Sequence, residues 1–167
     1  MTNQRPTRPD PAPASSRSRL TSAELAVWRA LIDTTGDIGR RLGARLAEDT
    51  GLSPADYQVL LALSEAPGRR MRSSTLADAI DWSRSRLSHQ LARLEKRGLI
   101  TRQDCEGDNR GTEIVLSDAG ATAFRAATAP HTRAIKELFA DALSPEQFDA
   151  LDDILTSLRA HLPKERP

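Results

Sequence analysis

The chain has little that would brace or anchor it from outside its own core. Its 167 residues include one cysteine, so no disulfide can close within the chain, and nothing points to an oxidising compartment. Aromatic residues make up only 4%. The longest apolar run near the middle, Val59-Leu60-Leu61-Ala62-Leu63, falls far short of the about 20 residues that a membrane-spanning helix needs. No apolar h-region stands near the start, which argues against secretion. The motifs CxxC, HExxH, GxGxxG and GxSxG do not occur, and His89, His131 and His161 are widely spaced. No metal-ligand spacing is present either, so neither a metal, another cofactor nor an enzyme activity is expected. What remains is a soluble, cytoplasmic chain of one ordinary domain, long enough to bury its own core.

What the chain does have is a charge pattern hidden under a net charge of +1. Residues 1–20 carry a net +3, 21–68 a net −3, 69–112 a net +4 and 113–167 a net −3. A basic middle between acidic flanks suits a local anionic partner, although a solvated charge pattern would look the same.

Residues 1–19 hold four prolines with several Ser and Arg and almost nothing to bury. A mobile basic tail is expected there, and a short tail over 163–167. Order is expected from Thr21, where Thr21-Ser22-Ala23-Glu24 fits a capping box. Leu25, Trp28, Leu31, Ile32, Ile38, Leu42 and Leu46 then recur at helical spacing, and Gly51 ends the helix. Ser53-Pro54 opens a second helix that buries Val59, Leu60 and Leu63 and stops before Pro67-Gly68. A short third helix runs from about Arg72 to Ile80, with Leu76, Ala79 and Ile80 inward. Asp81-Trp82-Ser83 is a turn, and Ser83 caps a fourth helix over 84–97 that Gly98 closes. Leu99–Arg102 and Glu113–Leu116 read as two strands of an extended hairpin. Ser117 caps a fifth helix to about Ala140, bent at Pro130, and Ser144-Pro145-Glu146-Gln147 opens a sixth with an apolar stripe.

Two helices joined by a three-residue turn and followed at once by a hairpin spell a winged helix-turn-helix. At 100° per residue, Leu87, Leu91 and Leu94 of the fourth helix share an inward face. The outward half then presents Ser85, Arg86, Ser88, His89 and Gln90, an arginine for guanine and an amide for adenine among small hydroxyls. Arg84, Arg72, Arg93, Ser73, Ser74 and Thr75 stand where phosphates would run. In the hairpin, Arg110 between Asn109 and Gly111 can reach into a minor groove, with Asp108 or Asp104 fixing the loop. A merely solvated helix face and an ordinary surface ion pair are the bland alternatives.

The stretch Leu76–Gly120 resembles the MarR family of bacterial transcription regulators. The resemblance lies in Asp108-Asn109-Arg110-Gly111, followed by a strand and Leu116-Ser117-Asp118-Ala119-Gly120. Asn109 departs from the family's often basic or glycine residue, and Ser117 stands for its usual threonine. The order of helices over residues 21–162 matches too. The implied fold is mainly α with a small β-hairpin wing. A winged helix-turn-helix lobe over 53–117 would lie between dimerisation helices at 21–50 and 118–162. The resemblance further implies a homodimer on double-stranded DNA, acting as a repressor at an inverted repeat. Apolar stripes on both terminal regions fit such a dimer, being more than a compact lobe could cover.

Relatives often respond to small phenolic or anionic ligands, and by position Trp28, Tyr57 and His131 are the candidate effector residues. Each also has a plain role open to it: dimer core, packed aromatic and surface histidine. Cys105 invites a redox reading, but the neighbouring Asp104 and Glu106 should disfavour its thiolate. The rival classes are a helical interaction module without specific DNA binding and a redox-responsive regulator. The first would have lost the basic helix face or the wing arginine, and this sequence keeps both.

Overall fold

A computed structural model of the chain describes residues 19–104 and 112–162. The elements among them are α1 (Ser22–Thr50), α2 (Pro54–Glu65), β1 (Arg70–Arg72), α3 (Ser73–Ala79), α4 (Arg84–Lys96), β2 (Ile100–Asp104), β3 (Thr112–Leu116), α5 (Asp118–Leu138) and α6 (Pro145–His161). The architecture is mainly helical with one small antiparallel sheet. Two compact units divide the chain, Met1–Gly36 and Asp37–Pro167, with the boundary inside α1.

In the first unit the helix starts where the sequence places it. The Thr21 amide donates to Glu24 Oε2 at 2.7 Å and the Glu24 amide donates back to Thr21 Oγ1 at 3.2 Å. This reciprocal pair satisfies two of the amides that every helix start leaves open. Of its apolar stripe, Val27, Trp28, Leu31 and Ile32 remain exposed.

The second unit holds the core. Val59, Leu60 and Leu63 of α2 are fully buried, among Leu76 of α3, Leu87, Leu91 and Leu94 of α4, and Ile100 and Ile114 of the sheet. Serine caps set the helix starts: Ser53, Ser83, Ser117 and Ser144 each accept an amide from three residues on. Ser144 Oγ also donates to Glu146, which holds that carboxyl below the usual range. Helix α5 continues through Pro130, and a short 3₁₀ turn over Ala140–Ala142 separates it from α6. No side chain of α6 is buried.

Two local expectations need correcting. The sheet has three strands rather than two, in the order β1-β3-β2, with Met71 opposite Ile114 and Arg102 opposite Ile114 on the other side. Strand β1 exists through this pairing; Arg-Met-Arg carries no strand signal of its own. In α3 the inward alanine is Ala77, 1% exposed, and Ala79 faces out. The helix is only seven residues long and ends at Ala79, with the buried Ile80 as its C-cap.

Two glycines mark close packing. A Cβ on Gly43 would lie 2.9 Å from the Pro54 ring, so α1 passes the start of α2 at the distance of a bare backbone. A Cβ on Gly120 would lie 2.0 Å from the Leu99 carbonyl oxygen and 2.8 Å from Leu116. The same carbonyl accepts the Ser117 amide at 3.2 Å, so it cannot turn aside cheaply. Gly120→Ala should therefore destabilise the protein by about 3 kcal/mol despite the better helix propensity of alanine. Urea unfolding measures this, and an unchanged midpoint would mean that α5 can lift off Leu99 freely.

Candidate nucleic-acid interface

The turn before α4 is built to present that helix. Asp81 takes a positive φ of 53°, a left-handed conformation that aspartate tolerates better than most residues. The Trp82 amide then returns to the Ala77 carbonyl at 2.9 Å. Ser83 closes the turn as N-cap, accepting the Arg86 amide at 3.3 Å. Leu87, Leu91 and Leu94 anchor the inward face in the core. Arg84, Ser85, Arg86, Ser88 and His89 consequently all lie exposed on one polar surface. The Arg86 guanidinium sits over the Trp82 ring, 4.0 Å from its centroid.

Gln90 does not join that surface, contrary to the sequence expectation. It is 2% exposed, and its amide donates to Asp56 Oδ1 while its oxygen accepts from Arg93. A buried amide with both ends engaged is not available to a base. Arg93 is thereby turned along its own helix, beside a recess of about 560 Å³ lined by Ser53, Asp56, Lys96 and Arg97.

Asp56 is the residue that sequence reasoning missed. Its carboxylate is 8% exposed, receives the Ser53 amide at 2.8 Å, and is gripped by Arg97 Nη1 at 2.8 Å and by the Gln90 amide. Arg97 Nη2 also reaches the Gly51 carbonyl at 3.0 Å. The signal was present as Ser53-Pro54-Ala55-Asp56, a cap followed three residues later by an acid.

The other candidates are distributed as follows. Arg72 ends β1 and stands at the N-cap of α3, while Ser73, Ser74 and Thr75 form the first turn of that helix. Helix starts of this kind offer amides to phosphate oxygens. On the wing, Arg102 pairs with Glu95 at 3.1 Å, tying β2 to α4. Cys105, Asp108, Asn109 and Arg110 lie outside the described residues. Tyr57 and His131 meet with ring centroids 4.6 Å apart, and Phe124 joins Tyr57 at 5.2 Å. Phe124 and His131 are two turns apart on α5, a spacing that puts them on one face. The His131 Nδ1 is buried without a hydrogen-bond partner. Trp28 belongs to the other unit, where it is 55% exposed.

The MarR family profile matches residues 50–111. Among solved structures, Sco3205 from Streptomyces coelicolor, described as a MarR family transcriptional regulator in complex with DNA, is 36% identical. The match covers 89% of this chain and 94% of that one, with a TM-score of 0.80. The organohalide-sensing regulator RdhR-CbdbA1625, solved in a 2,4-dichlorophenol-bound form, is 26% identical, with coverage of 84% and 82% and a TM-score of 0.73. The transcriptional repressor MprA of Escherichia coli is 25% identical over 118 residues, which are 71% of this chain and 66% of that repressor.

The contacts of Asp56 make its removal costly. Asp56→Ala would strand the Ser53 amide, the Gln90 side chain and Arg97 together, and should lose about 2–4 kcal/mol in urea unfolding. A loss under about 0.5 kcal/mol, the size of an ordinary surface change, would show that solvent replaces the carboxylate.

Proposed function

The chain belongs to the MarR family of transcriptional regulators, and we propose that it binds a specific inverted-repeat operator as a homodimer. The observation that carries this reading is the single exposed face of α4, on which Arg84, Ser85, Arg86, Ser88 and His89 stand over a fully buried leucine stripe. An arginine there can meet guanine O6 and N7 with two hydrogen bonds, while the serines allow close approach. The first turn of α3, with Arg72 beside it, would take phosphates and set the register. Arg110 would enter the minor groove from the wing, steadied by Asp108, and this part rests on sequence alone.

The uncovered apolar faces support dimerisation. Val27, Trp28, Leu31 and Ile32 of α1 are exposed, and so are Phe148, Ile154, Leu155, Leu158 and Leu162 at α6. A second copy of the chain is the partner that would remove them from water. Such a dimer would act in the cytoplasm as a repressor, a role suggested by the relative MprA. The Tyr57–Phe124–His131 cluster, with its unpartnered buried Nδ1, suits a small phenolic or anionic ligand that releases the DNA.

Selection of bound sequences from random duplex DNA at a stated salt concentration tests the whole reading. An inverted repeat with half-sites about 10–10.5 bp apart should be enriched. A folded protein that enriches nothing would refute the proposal. Within the enriched operator, Arg86→Ala should cost about 1–3 kcal/mol and relax preference at one base position per half-site. Arg110→Ala should weaken binding as well, and unchanged affinity in a titration would exclude contact by the wing.

A further inference from the structure

Four arginines on or beside α4 are held in two different ways. Arg97 spends its guanidinium on Asp56 and Gly51, Arg93 donates to Gln90, and Arg102 pairs with Glu95 and reaches the Ser88 carbonyl. In each, N–H donors are already committed. Arg86 instead rests on the face of Trp82. An indole ring attracts a cation through its π-face and offers no hydrogen-bond acceptor, so this contact restrains the side chain without consuming a donor.

The turn fixes the platform itself. Trp82 is tied by its amide to Ala77, follows the left-handed Asp81, and packs half-buried against the core. One turn into the helix, the Arg86 backbone is tied to the Ser83 cap. The backbones that carry the ring and the guanidinium are therefore each fixed before any ligand arrives. A flexible side chain that is already oriented loses less freedom on binding.

We infer that Trp82 is a specificity-determining positioning residue, a platform that orients Arg86 for a guanine edge. This rests on the DNA-binding reading above and adds to it a residue that itself touches no base. Its effect belongs to one base position per half-site, and so to affinity for the matched operator and not to non-specific affinity, because phosphate contacts would be made elsewhere.

The test is a competition titration with the full-length protein against operators substituted at each position in turn. Trp82→Leu should lower discrimination by about two- to fivefold at the position read by Arg86, the ratio that corresponds to an exposed cation–π contact. Other positions, the salt dependence and non-specific affinity should not change. Trp82→Phe, which keeps apolar packing under a weaker π-face, should fall between, and it carries the test if the leucine variant does not fold. In an Arg86→Ala background neither substitution should have any further effect. Equal losses at every position, or the same loss in the Arg86→Ala background, would overturn the inference in favour of a structural role. Unchanged discrimination would overturn it outright while leaving DNA binding intact. A wild-type protein that prefers no sequence would remove both readings together.

Discussion

One buried carboxylate, that of Asp56, sets the angle at which the outward face of α4 meets whatever lies beyond it. It closes the cap of α2 through the Ser53 amide and holds α4 through Gln90 and Arg97. A charge withdrawn from water is tolerable only when its lone pairs are filled, and here three donors from two elements fill them. The leucines alone would let α4 roll slightly in its groove, since dispersion and burial have little directionality. Hydrogen bonds do have direction. With Gln90 drawn inward, the polar surface of Ser85, Arg86, Ser88 and His89 has one orientation.

The parts of this fold legible in the sequence are those decided within a few residues. Each serine cap acts on an amide three positions away, and the leucine spacing of α2 and α4 reports burial directly. Strand β1 was not legible, because Arg70, Met71 and Arg72 become a strand only through partners more than forty positions later. Gln90 was misassigned for another reason. Its direction on the helix is about 60° from that of Leu87 and about 40° beyond Leu94, at the edge of the leucine arc, and its chemical type pointed outward. The companion acid that makes its burial possible lies on another helix, and no local pattern connects the two. The effector candidates divide the same way: Tyr57 and His131 are brought together, whereas Trp28 falls in a different unit.

The terminal elements show a different economy from the lobe. In α2, α3 and α4 Val59, Leu60, Leu63, Leu76, Leu87, Leu91 and Leu94 find partners within the chain and are fully buried. Along the first half of α1 and along α6, the stripes are equally regular and remain open. Amphipathic helices gain most of their stability from the face they bury, and these two have a face that their own chain leaves uncovered. Tyr57 follows Asp56 directly on α2, so one helix carries both the aromatic contact with α5 and the carboxylate that orients α4.

The Leu99 carbonyl is a mechanical matter as much as a steric one. It lies between the end of α4 and the start of β2, accepts the Ser117 amide, and has Gly120 of α5 directly against it. Ordinary helix packing puts a layer of side chains between backbones, and such a layer can shear by changing rotamers. Here there is none. With no side chain to absorb it, a displacement of Gly120 bears directly on the Leu99 backbone at the root of β2.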